Sequence, residues 1–502
     1  MLKNAFLRTD ADPAGLSFAD MNCNLTAISR QPRAITREVK QVVKLARAFN
    51  ASVVRPQTLD MDRKIQADPD YLPWEWVREA GRHGFYTLWI PKMFGGKGYS
   101  FSSMAYFLEE ISSCCVGMAN LIGAHYLGFA TLIASWNLAL TRRLSADIIR
   151  GEKTGEPCLL DFAITEPESG TDTSEADLVD KGRVACQAVR ENDGYRVNGT
   201  KVFISNGHFS TWHIVLGYED PGRPSDTFLF FAVRRDAEGF SLGRKERKMG
   251  QKACPASELI LRDCYVADDF VCVDRRQTRN LFHSHREIYQ IIFDSVCSSS
   301  KAGVCALGAG IARGVYEATL RFAADTRING SLMLNLEWVQ CRLADMLRNV
   351  VVARLLYAEV NFANGMYGLN KMLQFKPLYY LFRYLPTRIA LALSAPMVKY
   401  ALFPKMIRKI QFDWKKRAEL ERTTGWAAMA KFTGSDLAMD NCRIGMALMG
   451  QAGSRQANHV EKFFRDAKLL QIYEGTNQLN RMEAFKNLIG RNRYEITMFE
   501  DQ

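Results

Sequence analysis

The chain has 502 residues, 47% of them hydrophobic, which is enough for two or three globular domains with a large packed core. Its net charge of +12 would suit nucleic acid, an anionic membrane or an acidic partner. The twelve cysteines include no C-x-x-C pair, which argues against a zinc ribbon or a thioredoxin-like site, so no metal site is expected. Cysteines within apolar segments, and an N-terminus without a sustained apolar run, favour a reduced, cytoplasmic protein.

The predicted elements follow one another in three parts. Apolar residues first recur at helical spacing, interrupted by a glycine-rich loop at residues 95–98. Short β-rich segments with Asp-Gly and Asn-Gly turns come next, and helical spacing then returns. The order helical, β, helical predicts an α+β multidomain fold. Its predicted parts are an N-terminal extension (1–35), a helical domain (36–156), a β domain (157–285), a second helical domain (286–490) and a tail (491–502).

Six separated stretches carry a family resemblance. They are GFYTLWIPKMFGGKGYS (84–100), AITEPESGTD (163–172), NGTKVFISNG (198–207), KMGQKACPASEL (248–259), AAMAK (427–431) and FFRDAKLLQIYEGTNQLNR (463–481). These stretches resemble the acyl-CoA dehydrogenase family and occur in the family's order across roughly residues 36 to 490. The resemblance implies an N-terminal helical domain, a central β-barrel domain and a C-terminal helical bundle, assembled as a homodimer or homotetramer.

Glu474 is the candidate catalytic residue. It lies in Tyr473-Glu474-Gly475-Thr476, where the missing Cβ of Gly475 lets a ligand approach the backbone closely. The resemblance implies that Glu474 removes the α-proton of an acyl-CoA while hydride passes to flavin N5, giving trans-2-enoyl-CoA. That reaction needs a base whose pKa is raised toward neutrality, which an apolar, water-poor pocket would achieve by desolvation.

The cofactor implied by the resemblance is FAD. Two β-loop segments, around Thr165 and around Phe203, would offer backbone donors and a stacking side chain to a flat ring. Two departures from the family concern this site: Phe203 replaces a frequent tryptophan, and the loop at 447–453 lacks one FAD-contacting side chain and one glycine. By resemblance, Phe162, Ile164, Thr165, Phe203 and Ser205 line the isoalloxazine, Thr476, Gln478 and Gly450 contact FAD, and Arg327 reaches the FAD pyrophosphate of a neighbouring subunit.

The substrate-binding residues are also implied by the resemblance. Thr171 would lie near the acyl-CoA chain, together with Tyr473 and Gly475, and Lys301 would meet a phosphate of the CoA nucleotide as a point charge. Electrons would pass to an electron-transfer flavoprotein or a membrane-linked acceptor, as in fatty acid β-oxidation. Two alternatives remain open: an acyl-CoA oxidase that uses O2, and a non-catalytic, membrane-associated scaffold that kept the fold.

Residues 365–422 form an insertion where the family usually needs a short connection. Twelve Lys and Arg against three acids give this segment +9 of the net charge of +12. Charges interrupt its best apolar run, so it should not cross a bilayer. One helical face is predicted to carry Phe403, Met406, Ile407, Ile410 and Trp414, flanked by Lys405, Arg408, Lys409, Lys415 and Lys416.

This composition is typical of a helix that lies in an anionic membrane interface, and it predicts a peripheral contact at the inner face of the cell membrane. A core-packing hairpin with a solvated basic face, or a surface for a protein partner, is the alternative. No nucleic-acid-binding motif accompanies the charge, so a nucleic-acid partner is not expected.

Overall fold

A computed structural model describes residues 33–364, 375–400, 402–413 and 417–489 of the chain. Its first part is helical, as the apolar spacing predicts. An apolar stripe on the first helix, including Val42 and Ala46, packs into the core. The helices of this part are α1 (Arg33–Phe49), α2 (Arg55–Ala67), α3 (Trp74–Arg82), α4 (Phe101–Ser112), α5 (Val116–Ala134) and α6 (Leu138–Thr154).

Helix α5 is largely apolar and largely buried. Among the described residues it is the one helix long and apolar enough to cross a membrane, yet 72% of its apolar window is buried inside the protein. Gly128 lets it approach the central sheet closely, since a Cβ there would lie 2.6 Å from the Asp161 carbonyl oxygen. Helix α5 is therefore a core helix.

The central part is one mixed sheet of eight strands. The strand order is β6-β7-β3-β2-β4-β5-β8, with β1 paired in parallel to β4. The expected barrel is wrong in this respect, because the short strands β6 and β8 each pair on one side only and the sheet stays open. The strands are β1 (Leu159–Ala163), β2 (Gln187–Glu191), β3 (Gly194–Ser205), β4 (Ser210–Tyr218), β5 (Phe228–Arg234), β6 (Phe240–Lys245), β7 (Ala256–Ala267) and β8 (Val271–Val273).

Three short helices accompany the sheet: α7 (Ala176–Val179), α8 (Pro224–Thr227) and α9 (Arg275–Thr278). They lie in connections around the strands, and the connection that carries α7 also contains a single turn at Thr171–Ser174. This last turn contacts the long helix that follows the sheet, because the Tyr289 hydroxyl donates to the Thr173 carbonyl at 2.5 Å.

The C-terminal part is built on a 41-residue helix, α10 (His285–Asp325), which begins with a capping box between Ser284 and Glu287. Glycines allow α10 to cross the later helix Arg417–Met449 closely: a Cβ at Gly308 would lie 2.5 Å from the Gly434 carbonyl oxygen. The remaining elements are the hairpin β9 (Arg327–Ile328) and β10 (Ser331–Leu332), and helices α11 (Glu337–Asn364), α12 (Lys376–Tyr384), α13 (Thr387–Lys399), α14 (Leu402–Asp413), α15 (Arg417–Met449), α16 (His459–Leu470) and α17 (Asn477–Ala484).

Most of the described part of the insertion forms the three short helices α12, α13 and α14. One detail of the predicted amphipathic face is wrong. Arg408 is 9% exposed, because its guanidinium turns inward and donates to the Gln277 carbonyl at 3.4 Å. Phe412 is buried beside it. Trp414, Lys415 and Lys416, which belong to the same prediction, lie outside the described residues.

A buried ion pair joins the first and third parts of the chain. Arg354 on α11 donates from Nε to Oε2 of Glu109 on α4 at 2.8 Å, and the Tyr357 hydroxyl donates to the same oxygen at 2.5 Å. Glu109 is 2% exposed and Arg354 is 4% exposed. Both charges are thus satisfied inside the protein, where an unpaired charge would be costly.

Candidate active site

The loop that carries Glu474 connects α16 to α17 and has an unusual backbone. Glu474 has a φ of 55° and Gly475 has a φ of 77°, so two consecutive residues occupy the left-handed region. Glycine adopts this region freely, whereas glutamate is strained there. Thr476 then caps α17, with its side chain accepting a hydrogen bond from the Leu479 amide.

Two buried side chains hold this loop in place. The Asn480 amide donates to the carbonyl oxygens of Glu474 at 3.2 Å, Gly475 at 2.9 Å and Thr476 at 3.0 Å. Lys431, on α15, donates to the Gly475 carbonyl at 2.6 Å and to the Asn477 side-chain oxygen at 2.8 Å. The left-handed turn is therefore fixed from both sides, which orients the Glu474 side chain.

The Glu474 carboxyl is surrounded by groups of α10 and α15. Burial raises its pKa above the ordinary glutamate value of 4.5, while a hydrogen bond from Ser300 and the charges of Lys301 and Lys431 oppose that rise. Burial also lowers the pKa of Lys431 to about 7. A carboxylate with a raised pKa, held on a fixed loop, is suited to accept a proton.

Two further contacts connect this loop to the central sheet domain. The Tyr473 hydroxyl donates to Oε1 of Gln251 at 3.2 Å. The backbone N–H of Gln251 in turn donates to Oδ1 of Asp466 at 2.5 Å. Thr171 lies beside Gly475, since a Cβ at Gly475 would be 3.9 Å from Thr171 Cγ2. The structure thus brings together Thr171, Tyr473, Glu474 and Gly475, four of the residues predicted to meet substrate.

The two predicted flavin-binding segments also lie side by side. Thr165 follows β1, and its carbonyl accepts from the Val202 amide of β3 at 2.9 Å. Beneath them, the buried Lys201 donates to the Ile164 carbonyl at 3.1 Å and pairs with Glu166 at 2.7 Å. These bonds fix the backbone of both segments, so their polar groups are available in a set arrangement.

Phe203 is directed outward at an irregularity in the sheet. The pairing of β3 with β7 shifts between Lys201 and Ile204, and Phe203 has a φ of 60° with its side chain 60% exposed. Bulges commonly re-aim a side chain next to a site. Ser205 ends the same strand, and Phe162, in β1, packs 5.8 Å from Phe230 between ring centroids.

Other predicted residues lie elsewhere. Lys301, the α10 residue beside Glu474, lies 24 residues before the end of this helix, and Arg327 follows that end. About 36 Å of helix therefore separates Arg327 from the Glu474 loop. Gly450 follows the end of α15, about 27 Å along that helix from Lys431. Arg327 is exposed and donates to the Gly330 carbonyl at 2.8 Å, and Gly450 has a φ of 56°. Within one protomer, these two residues cannot join the Glu474 loop.

Lys301 is placed differently from its prediction. It is 4% exposed and its ammonium pairs with Glu483 on α17, whereas the prediction had it pair with a phosphate of the CoA nucleotide. The physical reason is that Glu483 neutralises the charge inside the protein, beside Glu474. Of the two residues near the start of α17 that were expected at FAD, Thr476 caps the helix with its side chain and Gln478 is exposed.

Sequence reasoning missed several residues that shape this site. Lys431 and Asn480 lie within two of the six stretches, AAMAK and FFRDAKLLQIYEGTNQLNR, but no role was attached to either, and Ser300 lies outside all six. Their importance depends on which side chains α10, α15 and α17 bring together. Spacing along the chain could not supply that information, although a lysine in an otherwise apolar helical stretch is a signal worth noting.

Comparison with known proteins agrees with this arrangement. The family model of the acyl-CoA dehydrogenase N-terminal domain matches residues 36–152, that of the middle domain 161–264, and that of the C-terminal domain 295–363 and 411–489. The C-terminal match is interrupted over residues 364–410, where helices α12 and α13 lie.

Relatives and solved structures extend over most of the chain. The probable acyl-CoA dehydrogenase FadE25 of Mycobacterium tuberculosis is 25% identical over 450 residues, covering 88% of this chain and 93% of the relative. Butyryl-CoA dehydrogenase from Megasphaera elsdenii has a similar fold, with a TM-score of 0.67 at 22% identity, covering 90% and 98% of the two chains. An FAD complex of PigA gives a TM-score of 0.65 at 18% identity, with the same coverage. The three matched models, in their order, show that this chain belongs to the acyl-CoA dehydrogenase family.

Proposed function

We propose that Glu474 removes the α-proton of the acyl-CoA thioester that this oxidoreductase dehydrogenates. The observation that carries the proposal is the Glu474 loop: a left-handed turn fixed by Lys431 and Asn480, which holds a carboxyl with a raised pKa. Loss of the α-proton to Glu474 and of the β-hydrogen as hydride leaves a trans-2-enoyl-CoA. Thr171, Tyr473 and Gly475 would position the thioester beside the base, and the Lys301 charge would help keep the carboxylate ionised.

The residues around Thr165 and Phe203 fit an FAD ring. An exposed aromatic side chain at a sheet irregularity, beside two hydrogen-bonded backbone segments, offers a stacking surface and polar groups in one place. When bound, FAD supplies the acceptor for the hydride. Phe162, Ile164, Thr165, Phe203 and Ser205 would hold its ring, with Thr476 and Gln478 nearby.

A homodimer or homotetramer is part of this proposal. Arg327 and Gly450 are too far from the Glu474 loop to meet the same cofactor within one protomer, so they would serve the site of a neighbouring copy. Helix α11 also exposes apolar side chains that another copy could cover: Trp338 is 54% exposed, Val352 40% and Leu355 42%.

The proposed cellular location of the protein is the cytoplasm. The eleven cysteines that the structure describes are free, and nine of them are buried. Free thiols are typical of a reducing compartment. There the electrons would pass to an electron-transfer flavoprotein or a membrane-linked acceptor.

The first test of this function is spectroscopic. The purified protein should bind FAD and be yellow, and anaerobic addition of an acyl-CoA should bleach the flavin absorbance as enoyl-CoA forms. A panel of acyl-CoA chain lengths with an artificial electron acceptor would then identify the substrate. A protein that neither contains FAD nor can be reconstituted with it would contradict the proposal and favour a non-catalytic scaffold.

The oxidase alternative is separated in the same experiment. If O2 were the natural acceptor, about one peroxide would form per turnover in air without any added acceptor. We expect far less peroxide, with turnover restored by an added acceptor. Stoichiometric peroxide would assign the chain to the oxidase class instead.

Lys431→Met tests whether the lysine positions the base. Methionine keeps the volume but removes the donors to Gly475 and Asn477, so we expect kcat to fall about 10- to 100-fold with a smaller change in KM. Because the Lys431 charge lowers the pKa of Glu474, its loss should move the rise of kcat/KM to higher pH.

The matched control for this variant is Lys468→Met, at an exposed position on α16 whose amine contacts the Gln471 side chain at 3.1 Å. It should leave both kcat and the pH profile unchanged. A Lys431→Met enzyme with a normal pH profile and only a lowered melting temperature would show that the lysine supports the fold and nothing more.

A further inference from the structure

We propose that the outer side of helices α12, α13 and α14 is a docking surface for an anionic lipid membrane. The surface consists of the exposed apolar and aromatic residues of these helices, together with the exposed cations Lys376, Arg388, Lys405 and Lys409. It is separate from the Glu474 loop and from the residues assigned to FAD. Membrane docking therefore goes beyond the dehydrogenase function and can be tested independently of it.

The inner sides of the three helices are anchored to the body of the protein. On α12, Arg383 pairs with Glu38 at 3.3 Å. The Ser394 hydroxyl of α13 donates to the Met93 carbonyl at 2.7 Å, and a Cβ at Gly95 would lie 3.2 Å from Leu391. On α14, Arg408 is buried against Gln277. These contacts fix which side of each helix is left exposed.

Lys92 adds two hydrogen bonds to this anchor. Its ammonium donates to the carbonyl of Arg383 at 2.5 Å and to that of Leu385 at 3.0 Å, where α12 ends and α13 is about to begin. The corner between these helices is thereby attached to the glycine-rich loop of the N-terminal part. The three helices are thus folded onto the body of the protein through one side. Packing on the body, the alternative to membrane contact, explains this inner side but leaves the exposed outer side unexplained.

The exposed sides are rich in large apolar residues. On α13 the exposed positions Arg388, Ile389, Ala392, Leu393 and Pro396 recur at helical spacing on one face. Nine of the 24 exposed large apolar residues in the described chain belong to this short segment: Phe375 65%, Leu381 59%, Phe382 51%, Tyr384 64%, Ile389 48%, Leu393 58%, Tyr400 71%, Leu402 78% and Met406 48%.

Cations share these faces, and acids are nearly absent from them. Lys405 and Lys409 are exposed on the same face of α14 as Leu402 and Met406, with Arg388 on α13 and Lys376 on α12. The one acid between residues 376 and 413 is Asp413, which accepts from the Phe282 amide at 3.0 Å. The surface is therefore apolar and uniformly positive.

This combination favours lipid over a second copy of the chain. A two-fold interface would place the same patch against itself and oppose Lys405 and Lys409 with like charges. An anionic bilayer instead offers phosphates to the cations and acyl chains to the apolar residues. None of the three helices is long enough to span a bilayer, the longest having 13 residues, so the contact is peripheral.

Vesicle flotation of the full-length, FAD-loaded protein tests this surface. We expect the protein to float with phosphatidylcholine vesicles that contain phosphatidylglycerol, and much less with phosphatidylcholine alone. Two double variants separate the contributions: Lys405→Glu with Lys409→Glu removes the charge, and Leu393→Asp with Leu402→Asp removes exposed apolar side chains. Each should lower the bound fraction on anionic vesicles by about tenfold or more. The matched controls are Lys153→Glu with Lys181→Glu, and Val189→Asp, at exposed positions outside the surface.

The outcomes are distinct. Wild-type protein that does not float, that floats equally with neutral vesicles, or that floats unchanged in both double variants overturns the proposal. A change of oligomeric state in sedimentation, without any effect on flotation, would assign the surface to contacts between copies. Turnover of a soluble short-chain acyl-CoA should stay normal in all these variants, so failure of the dehydrogenase proposal would appear in that assay and not in flotation.

Discussion

Glu474→Gln should lower kcat by about 10²- to 10⁴-fold, while the protein keeps its fold and bound FAD. Glutamine has nearly the same shape and can still meet Ser300, but its amide cannot take up a proton. The left-handed backbone at residue 474, with its φ of 55°, is supported by Asn480 and Lys431, which the substitution leaves in place. Steady-state turnover with an artificial acceptor, together with the flavin spectrum, would measure the effect.

Glu483→Gln is the matched comparison for this experiment. Glu483 is a second carboxylate near Glu474, but it is paired with Lys301. Its loss should have a much smaller effect on kcat. If Glu483→Gln were instead the more damaging change, the base would have been assigned to the wrong carboxylate.

Arg354→Met should lower the free energy of unfolding by about 3–5 kcal/mol, the usual cost of breaking a buried ion pair from one side. Burial alone would raise the pKa of Glu109, but the Arg354 charge lowers it, so this carboxylate is ionised at neutral pH. Without Arg354, the charge on Glu109 keeps only the Tyr357 hydroxyl, at 2.5 Å, among the partners described above. Denaturant titration, with unchanged m-value, would measure the loss.

Two controls define this result. Arg348→Met, on the same helix, removes an arginine whose side chain is 63% exposed and should cost no more than about 1 kcal/mol. The double variant Arg354→Met with Glu109→Gln should recover part of the loss, because the unpaired charge is gone. An Arg354→Met protein as stable as Arg348→Met would show that the pair contributes little to joining α4 to α11.

The parts of the fold that depend on local pattern were predictable from the sequence. Helical spacing, turn dipeptides and the six stretches gave the helical, β, helical order, and the AITEPESGTD and NGTKVFISNG segments do lie together across β1 and β3. Closure of the sheet was not predictable, because it depends on how β6 and β8 pair at the edges. The same holds for Arg408, which was predicted to flank the apolar face of its helix and is instead turned inward toward Gln277.

In the candidate site, too, residues within one local motif were predictable, whereas contacts between distant helices were not. Glu474 and its neighbours lie in one contiguous motif, so the sequence could point to them. Lys301 was expected to meet a CoA phosphate, and only its partner across the helices, Glu483, explains how its charge is accommodated inside the protein. Lys431 is 43 residues before Glu474 along the chain, and its part in holding the turn emerges only when α15 and α17 are packed together.

At residue 474, the left-handed backbone puts the stability of the fold and the proposed catalytic role in conflict. A glutamate with a φ of 55° costs the folded state about 1 kcal/mol or more relative to glycine or asparagine, which tolerate this region better. Among substitutions at residue 474, those that relax the loop would therefore tend to stabilise the protein while they abolish the proposed base. Selection for thermal stability alone would lead this protein away from its chemistry, and variants chosen by melting temperature should be checked first at this residue.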